Sequence, residues 1–292
     1  MLTVNWASMQ NQGVEVALST RNIHTKNFMW TTNFNFAYNN NKILKEALRE
    51  DALEPGREGY PVGALFALKT AGLDEEGYPM FEGKDGKAVS AMEFFKLQEW
   101  GFGATDLTAR ERRELYTYVG TADCPYTGGF NNTFTYKAFE LGVNFSFDFG
   151  GKVRSQPTYS IVDFDKGRNT NRDILNRWTP ENTETIFPVL LSQNERLDEY
   201  MWYSNQNEIY RNLDIWIRDL NYVRLQNIRL GYTLPTNFSR KLGMTSATIA
   251  IEGRNLLVFG SSYKNYLDPE TMSNAYATPA PKSITLSLNL NF

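Results

Sequence analysis

The sequence predicts an all-β chain of antiparallel strands from a transmembrane β-barrel: a partial barrel of about seven strands with long extracellular loops. Three observations carry this. Apolar and polar residues alternate along several segments, the connections between those segments alternate between short and long, and aromatic residues make up 14% of a chain whose mean hydropathy is still −0.46. Plentiful apolar residues at negative mean hydropathy must be interleaved with polar ones. No run approaches the roughly 18 consecutive apolar residues of a membrane-spanning helix, whereas a barrel strand needs only about ten with every second one apolar.

The last ten residues alternate most clearly, with Ile284, Leu286, Leu288, Leu290 and Phe292 set against Thr285, Ser287, Asn289 and Asn291. A second strand sets Phe139, Leu141, Val143, Phe145, Phe147 and Phe149 against Glu140, Asn144, Ser146 and Asp148. A third sets Phe28, Trp30, Phe34, Phe36 and Tyr38 against Thr31, Asn33, Asn35 and Asn39. Weaker alternation predicts strands over Val14–Ile23, Phe130–Lys137, Ala247–Phe259 and Tyr222–Leu234, the last changing phase between Leu225 and Ile228 as a β-bulge does.

The stretches His24–Asn27, Lys137-Ala138 and Pro235–Gly243 are short connections; Asn39–Gly129, Gly150–Ile215 and Gly260–Pro281 are long. Short turns at one end and long loops at the other are the habit of outer-membrane barrels. Counting back from a last strand that ends in the periplasm, the first strand runs downward. The aromatics Phe28, Trp30, Tyr136, Phe139, Tyr232 and Phe292 then fall at the periplasmic end as a girdle, and Asn144, Ser146, Thr285 and Asn289 face the lumen. A soluble antiparallel sandwich also alternates, but its solvent face is rich in Lys and Glu. Here that face is mostly Asn, Thr and Ser.

Composition excludes other classes. A net charge of −3 with no basic run offers no electrostatic footprint for nucleic acid. A single cysteine, Cys124, and a single histidine, His24, supply neither an internal disulfide nor a His cluster, and no metal or cofactor is assigned. Asp163, Asp165 and Asp173 read as solvated loop acids, not as the spaced carboxylate pair of a glycosidase, so no catalytic residue is assigned. Asp74, Glu75, Glu76 and Asp85 lack the ligand spacing of an EF-hand. The N-terminal residues have neither the basic nor the apolar region of a secretory signal.

Several phrases in order resemble the SusC/RagA family of TonB-dependent outer-membrane transporters. They are Asn11-Gln-Gly-Val-Glu15, Gly59-Tyr-Pro-Val-Gly63 with Ala71-Gly-Leu-Asp74, and Gly128-Gly-Phe-Asn-Asn-Thr-Phe-Thr-Tyr-Lys137 with Phe139-Glu-Leu141. They continue with Arg177-Trp-Thr-Pro-Glu-Asn182, Tyr222-Val-Arg-Leu-Gln-Asn-Ile-Arg-Leu-Gly-Tyr-Thr-Leu-Pro235, Gly253-Arg-Asn-Leu-Leu257 and Asp268-Pro-Glu270. One departure is Leu107-Thr-Ala-Arg-Glu-Arg-Arg113, where the family tends to be Asp-rich.

The resemblance implies that residues 1–292 are the C-terminal part of a larger receptor barrel, without the signal peptide and plug domain that precede it in the family. It implies a location in the cell outer membrane, in contact with its lipid, and nutrient import of oligosaccharides or peptides. The implied partners are a SusD-like surface lipoprotein as lid and the TonB complex, reached through the N-terminal part. The alternative is a soluble all-β carbohydrate-binding module, and a weaker one a glycan-degrading enzyme. Trp100, Trp178, Trp202, Tyr203 and Trp216 fall in the long loops, where aromatic faces serve either to stack on substrate or to pack the loops and a partner lid. Phe292, the final residue of an alternating strand, is similar to the signal read by outer-membrane insertion machinery.

Overall fold

The computed structural model describes residues 7–98, 104–155, 167–169, 172–190, 211–260, 268–273 and 277–292. The chain divides into two compact units, one taking in Lys42–Thr121 and Val153–Arg218, the other Gln10–Asn41, Ala122–Lys152 and Asp219–Phe292. We call them the loop unit and the wall unit.

The wall is one seven-stranded sheet. Its strands are β1 (Ser8–His24), β2 (Phe28–Lys45), β8 (Tyr126–Tyr136), β9 (Phe139–Arg154), β10 (Ile217–Thr233), β11 (Ser246–Phe259) and β12 (Ser283–Asn291). Each pairs with the next of these in sequence, which is the meander of an up-and-down barrel wall; the sheet is open. The seven strands are those the alternation predicts. Several are longer: β1, β2, β9 and β10 have 17, 18, 16 and 17 residues, more than the roughly ten that cross a bilayer.

Turn chemistry fixes two of the short connections. After β1, Thr25 donates its backbone N–H to Phe28 O at 2.8 Å and accepts the Phe28 N–H on Oγ1 at 3.0 Å. The two-residue turn Lys137-Ala138 sets Lys137 at φ 52, as tight hairpin turns demand of a central residue. The third connection holds a short helix, α3 (Thr236–Lys241).

The phase change in β10 appears as a register shift between Leu225 and Asn227. The surplus residue lies on the partner: Leu225 pairs Leu257 and Asn227 pairs Arg254, so β11 advances three residues against two. Asn255 takes φ 53 within that step. Alternation along β10 shows that a shift occurs but cannot say which strand carries the extra residue.

The loop unit contains two smaller sheets. In one, β3 (Ala64–Leu68) pairs with β7 (Tyr116–Thr121); in the other β4 (Thr70–Leu73), β5 (Pro79–Glu82) and β6 (Ala88–Val89) form a meander. Two short helices accompany them, α1 (Ala91–Phe94) and α2 (Ala109–Glu114). Thr108 and Glu111 form a reciprocal capping box on α2, so the stretch that departs from the family pattern is locally self-consistent. Leu68, Phe81, Phe95, Leu213 and Trp216 make a closed core, each no more than 2% exposed. Among the described residues no helix is long and apolar enough to cross a membrane.

Candidate functional site

Strand pairing turns the alternation into two continuous faces. On one, Phe28 pairs Tyr136, which pairs Phe139, and ten residues further up Tyr38 pairs Tyr126, which pairs Phe149. Ten residues at about 3.4 Å each, tilted about 40°, rise about 26 Å, close to the roughly 25 Å apolar band of an outer-membrane barrel. Between the two aromatic rows lie Phe34, Phe130, Phe145 and Val143, with rings stacked such as Phe130 on Phe145 at 6.0 Å.

The girdle aromatics collect at one end, the end of the short turns. Phe139 and Tyr232 are in ring contact at 4.7 Å, Trp30 stacks on Phe134 at 5.6 Å, and Phe292 follows β12 at that end, 84% exposed. The second aromatic row, Tyr38–Tyr126–Phe149, follows only from the strand pairing, since single-strand alternation does not align strands with one another.

One polar cluster interrupts the apolar face. Asn132, only 6% exposed, accepts on Oδ1 from Trp30 Nε1 at 2.9 Å and from Thr32 Oγ1 at 2.7 Å. Asn22 Nδ2 in turn donates to Thr32 Oγ1 at 2.6 Å, and Thr20 Oγ1 to Asn22 Oδ1 at 2.8 Å. Polar groups facing hydrocarbon must find partners within the protein, and this cluster meets much of that need itself.

The opposite face is a ladder of amides. Asn33 pairs Asn131, Asn131 pairs Asn144, and Asn144 Nδ2 donates to Asn227 Oδ1 at 3.1 Å. Above that row Gln226 Nε2 donates to Ser146 Oγ at 2.7 Å, and below it Arg229 pairs with Glu140 at 3.1 Å. Gln226 and Asn227 are adjacent in β10, yet both hydrogen-bond to side chains of β9 on this face. A groove of about 430 Å³ is lined in part by Ser19, Asn33, Asn35, Asn131, Asn144 and Gln226. At its edge a Cβ on Gly129 would come within 2.7 Å of Asn35 Oδ1 and push that side-chain amide aside. An uncharged donor-and-acceptor surface can exchange hydrogen bonds with a passing polar solute without holding it by charge.

The same face tethers part of the connection before β12. Arg224, with a side chain 2% exposed, pairs with Asp268 and with Glu270 at 2.9 Å, and the Tyr222 hydroxyl donates to Glu270 at 3.1 Å. Sequence reasoning noted these phrases separately; that they meet follows only from the fold.

Of the loop aromatics, Trp100, Trp202 and Tyr203 lie outside the described residues. Trp178 covers Gly77, where a Cβ would come within 2.4 Å of its ring, and donates its backbone N–H to Phe187 O at 3.0 Å. Trp216 is fully buried, 5.8 Å from the Phe187 ring. The loop unit thus links Trp178 and Trp216 through Phe187, with Trp216 in the core. Nearby, Asp74 Oδ1 accepts the N–H groups of Glu76 and Tyr78, so its carboxylate closes a turn. Asp163 and Asp165 lie outside the described residues, and Asp173 sits in a single 3-10 turn.

A sheet with a membrane-thick apolar face and an amide-lined polar face is a segment of an outer-membrane β-barrel wall. No family model matches the chain. It is 27% identical over 318 residues to TonB-dependent receptor P3 of Formosa agariphila, covering 99% of this chain and 29% of that one. It is 23% identical over 314 residues to TonB-dependent receptor SusC of Bacteroides thetaiotaomicron, covering 99% and 27%. Its fold matches the structure of the RagAB peptide transporter with a TM-score of 0.69 at 22% identity, over 99% of this chain and 30% of that one. The chain thus spans less than a third of the length of these relatives. Over nearly its whole length the chain is thus similar to part of TonB-dependent receptors such as SusC, and with its two-faced sheet that likeness makes it a protein of the cell outer membrane.

Proposed function

We propose that the whole protein is a nutrient importer of the outer membrane, powered through TonB, that takes up oligosaccharides or peptides and works with a SusD-like surface lipoprotein as lid. In this reading residues 1–292 are the C-terminal part of a larger barrel of about 22 strands, and a preceding plug domain contacts the TonB complex. The observation that carries it is the pairing of faces: aromatic rows about a bilayer apart on one, hydrogen-bonded amides on the other. A soluble binding module would bury one face, whereas Ile284, Leu286 and Leu288 are 75%, 76% and 62% exposed. Import needs no bond-breaking step, and the reading assigns no catalytic residue.

Within it, Trp100, Trp178, Trp202 and Tyr203 are the loop aromatics proposed to meet substrate, with Trp216 supporting them from the core. Phe292 is the residue proposed to be read during barrel assembly. The test is uptake by cells carrying the full-length transporter, with and without functional TonB, on oligosaccharide and on peptide as sole nutrient. Growth that requires both the transporter and TonB on either nutrient supports the reading; equal growth without the transporter on both would refute it.

A further inference from the structure

Within the loop unit a cleft of about 760 Å³ lies between the β5–β6 hairpin, α1 and the start of β7. That volume is in the range small ligands fill. Its charges fall into two sets. Most are already neutralised on the protein: Lys69 by Glu82 at 2.5 Å, Lys87 by Asp85 at 3.2 Å, and Lys96 by Glu111 at 3.0 Å. Glu114 is likewise paired with Arg110 at 3.2 Å.

Two are not. Lys84 and Glu93 line the same cleft, and neither side chain has a partner among the described residues. Both stand on fixed backbone. Lys84 sits in the β5–β6 turn, closed by Gly83 N to Lys87 O at 2.8 Å and by Gly86 N to Gly83 O at 2.9 Å, with Gly86 at φ 77. Glu93 is on α1, whose N-terminus is capped by Ser90 Oγ accepting the Glu93 N–H at 3.3 Å. The cleft therefore offers one ammonium and one carboxylate, with Val89, Phe94, Leu107 and Leu115 as apolar lining.

A neutral sugar would leave both charges to water and would want a flat aromatic face. The aromatic lining residue is Phe94, and its ring is taken, stacked on Phe81 at 4.7 Å and edge-on to Phe95 at 4.9 Å. A short peptide presents the complementary pair, an α-ammonium and an α-carboxylate, with apolar side chains between. We infer that this cleft is a peptide-binding site in which Glu93 takes the N-terminal ammonium and Lys84 the C-terminal carboxylate. The inference rests on the import reading and narrows its substrate class to short zwitterionic peptides.

The test uses the full-length transporter in detergent with calorimetric titration of four probes: tetra-alanine, its N-acetyl form, its C-terminal amide, and maltotetraose. Tetra-alanine should bind, and blocking either terminus should weaken it up to about fivefold, as expected for solvent-accessible ion pairs. Glu93→Gln should abolish the discrimination against the N-acetyl form alone, and Lys84→Met that against the amide alone. That crossed pattern is one a folding defect would not produce. Equal affinity for free and blocked peptides, tetra-alanine binding untouched by both substitutions, or tighter binding of maltotetraose would overturn the inference. TonB-dependent uptake by cells is scored separately. If uptake persists while the crossed pattern is missing, the import reading stands and the cleft assignment falls; if no uptake occurs but the crossed pattern is present, the cleft stands and import falls.

Discussion

The loop unit and the wall unit solve the same hydrophobic problem in opposite ways. The loop unit buries Phe81, Leu213 and Trp216 completely, while the wall leaves Ile284, Leu286 and Leu288 each more than 60% exposed. Burying a large apolar side chain is worth about 1.5–3 kcal/mol, so the first unit gains that within itself, whereas the exposed apolar residues of β12 gain it only from lipid. Stability in the loop unit is therefore a matter of packing, and in the wall a matter of what surrounds it.

The largest expected effect breaks the first half of that contrast. Trp216→Ala should cost the loop unit about 3–5 kcal/mol, the usual price of emptying so large a core site. Hydrogen exchange should show lost protection in β4 and β5 of the full-length protein, while the heat-dependent gel shift of the folded barrel stays unchanged. Loss of the gel shift as well would mean that the units are not separable in this sense.

The second prediction breaks the other half. Val143 lies four residues from Phe139 and six from Phe149, near mid-height between the aromatic rows. Val143→Arg should cost about 2–4 kcal/mol of barrel stability, since it sets a charge against hydrocarbon. Asn144→Arg, one residue on and facing the amide ladder, should be milder. Leu288 shares a row with Ile249 and the girdle residue Tyr232, so an Arg there should cost less than at Val143.

The wall was legible in the sequence because period-two alternation survives wherever one face meets lipid and the other water. The loop unit was not. Its strands are short, β6 having two residues, and Ala64–Leu68 shows no alternation because three of its five residues are buried. The loop tryptophans were legible as a group but not by role. Residue type cannot distinguish a ring over Gly77 from one in a core. The charged cleft is not legible in the sequence, because Lys84 and Glu93 differ from the other charges lining it in lacking partners among the described residues, a property of the fold.

Smaller effects sharpen the contrast. Thr108→Ala should cost about 1 kcal/mol by removing the α2 cap, seen as faster exchange of the α2 amides with the wall unaffected. The Thr108 backbone N–H, and then Lys96, hold the Glu111 carboxyl down to about 2 from its ordinary 4.5. A depressed carboxylate stabilises the fold above its unfolded value, and that contribution disappears as pH falls through the folded one. The carboxylate half of the α2 cap should accordingly persist at pH 4 and be lost only as the pH approaches 2, its contribution to stability shrinking between about pH 4.5 and 2. Carboxyl chemical shifts of Glu111 would report it, and a midpoint near 4.5 would deny the capping role.

The central claim is that one face of the seven-stranded sheet meets lipid and the other does not, and β12 offers the most direct reading. In a full-length Cys124→Ser background, each residue from Ile284 to Asn291 is replaced singly by cysteine, labelled with a small fluorophore, and the protein is reconstituted in bilayers containing brominated lipid. Quenching should alternate with a period of two, strong at 284, 286, 288 and 290 and weak at 285, 287, 289 and 291. Uniform quenching, or none at the even positions, would contradict the account.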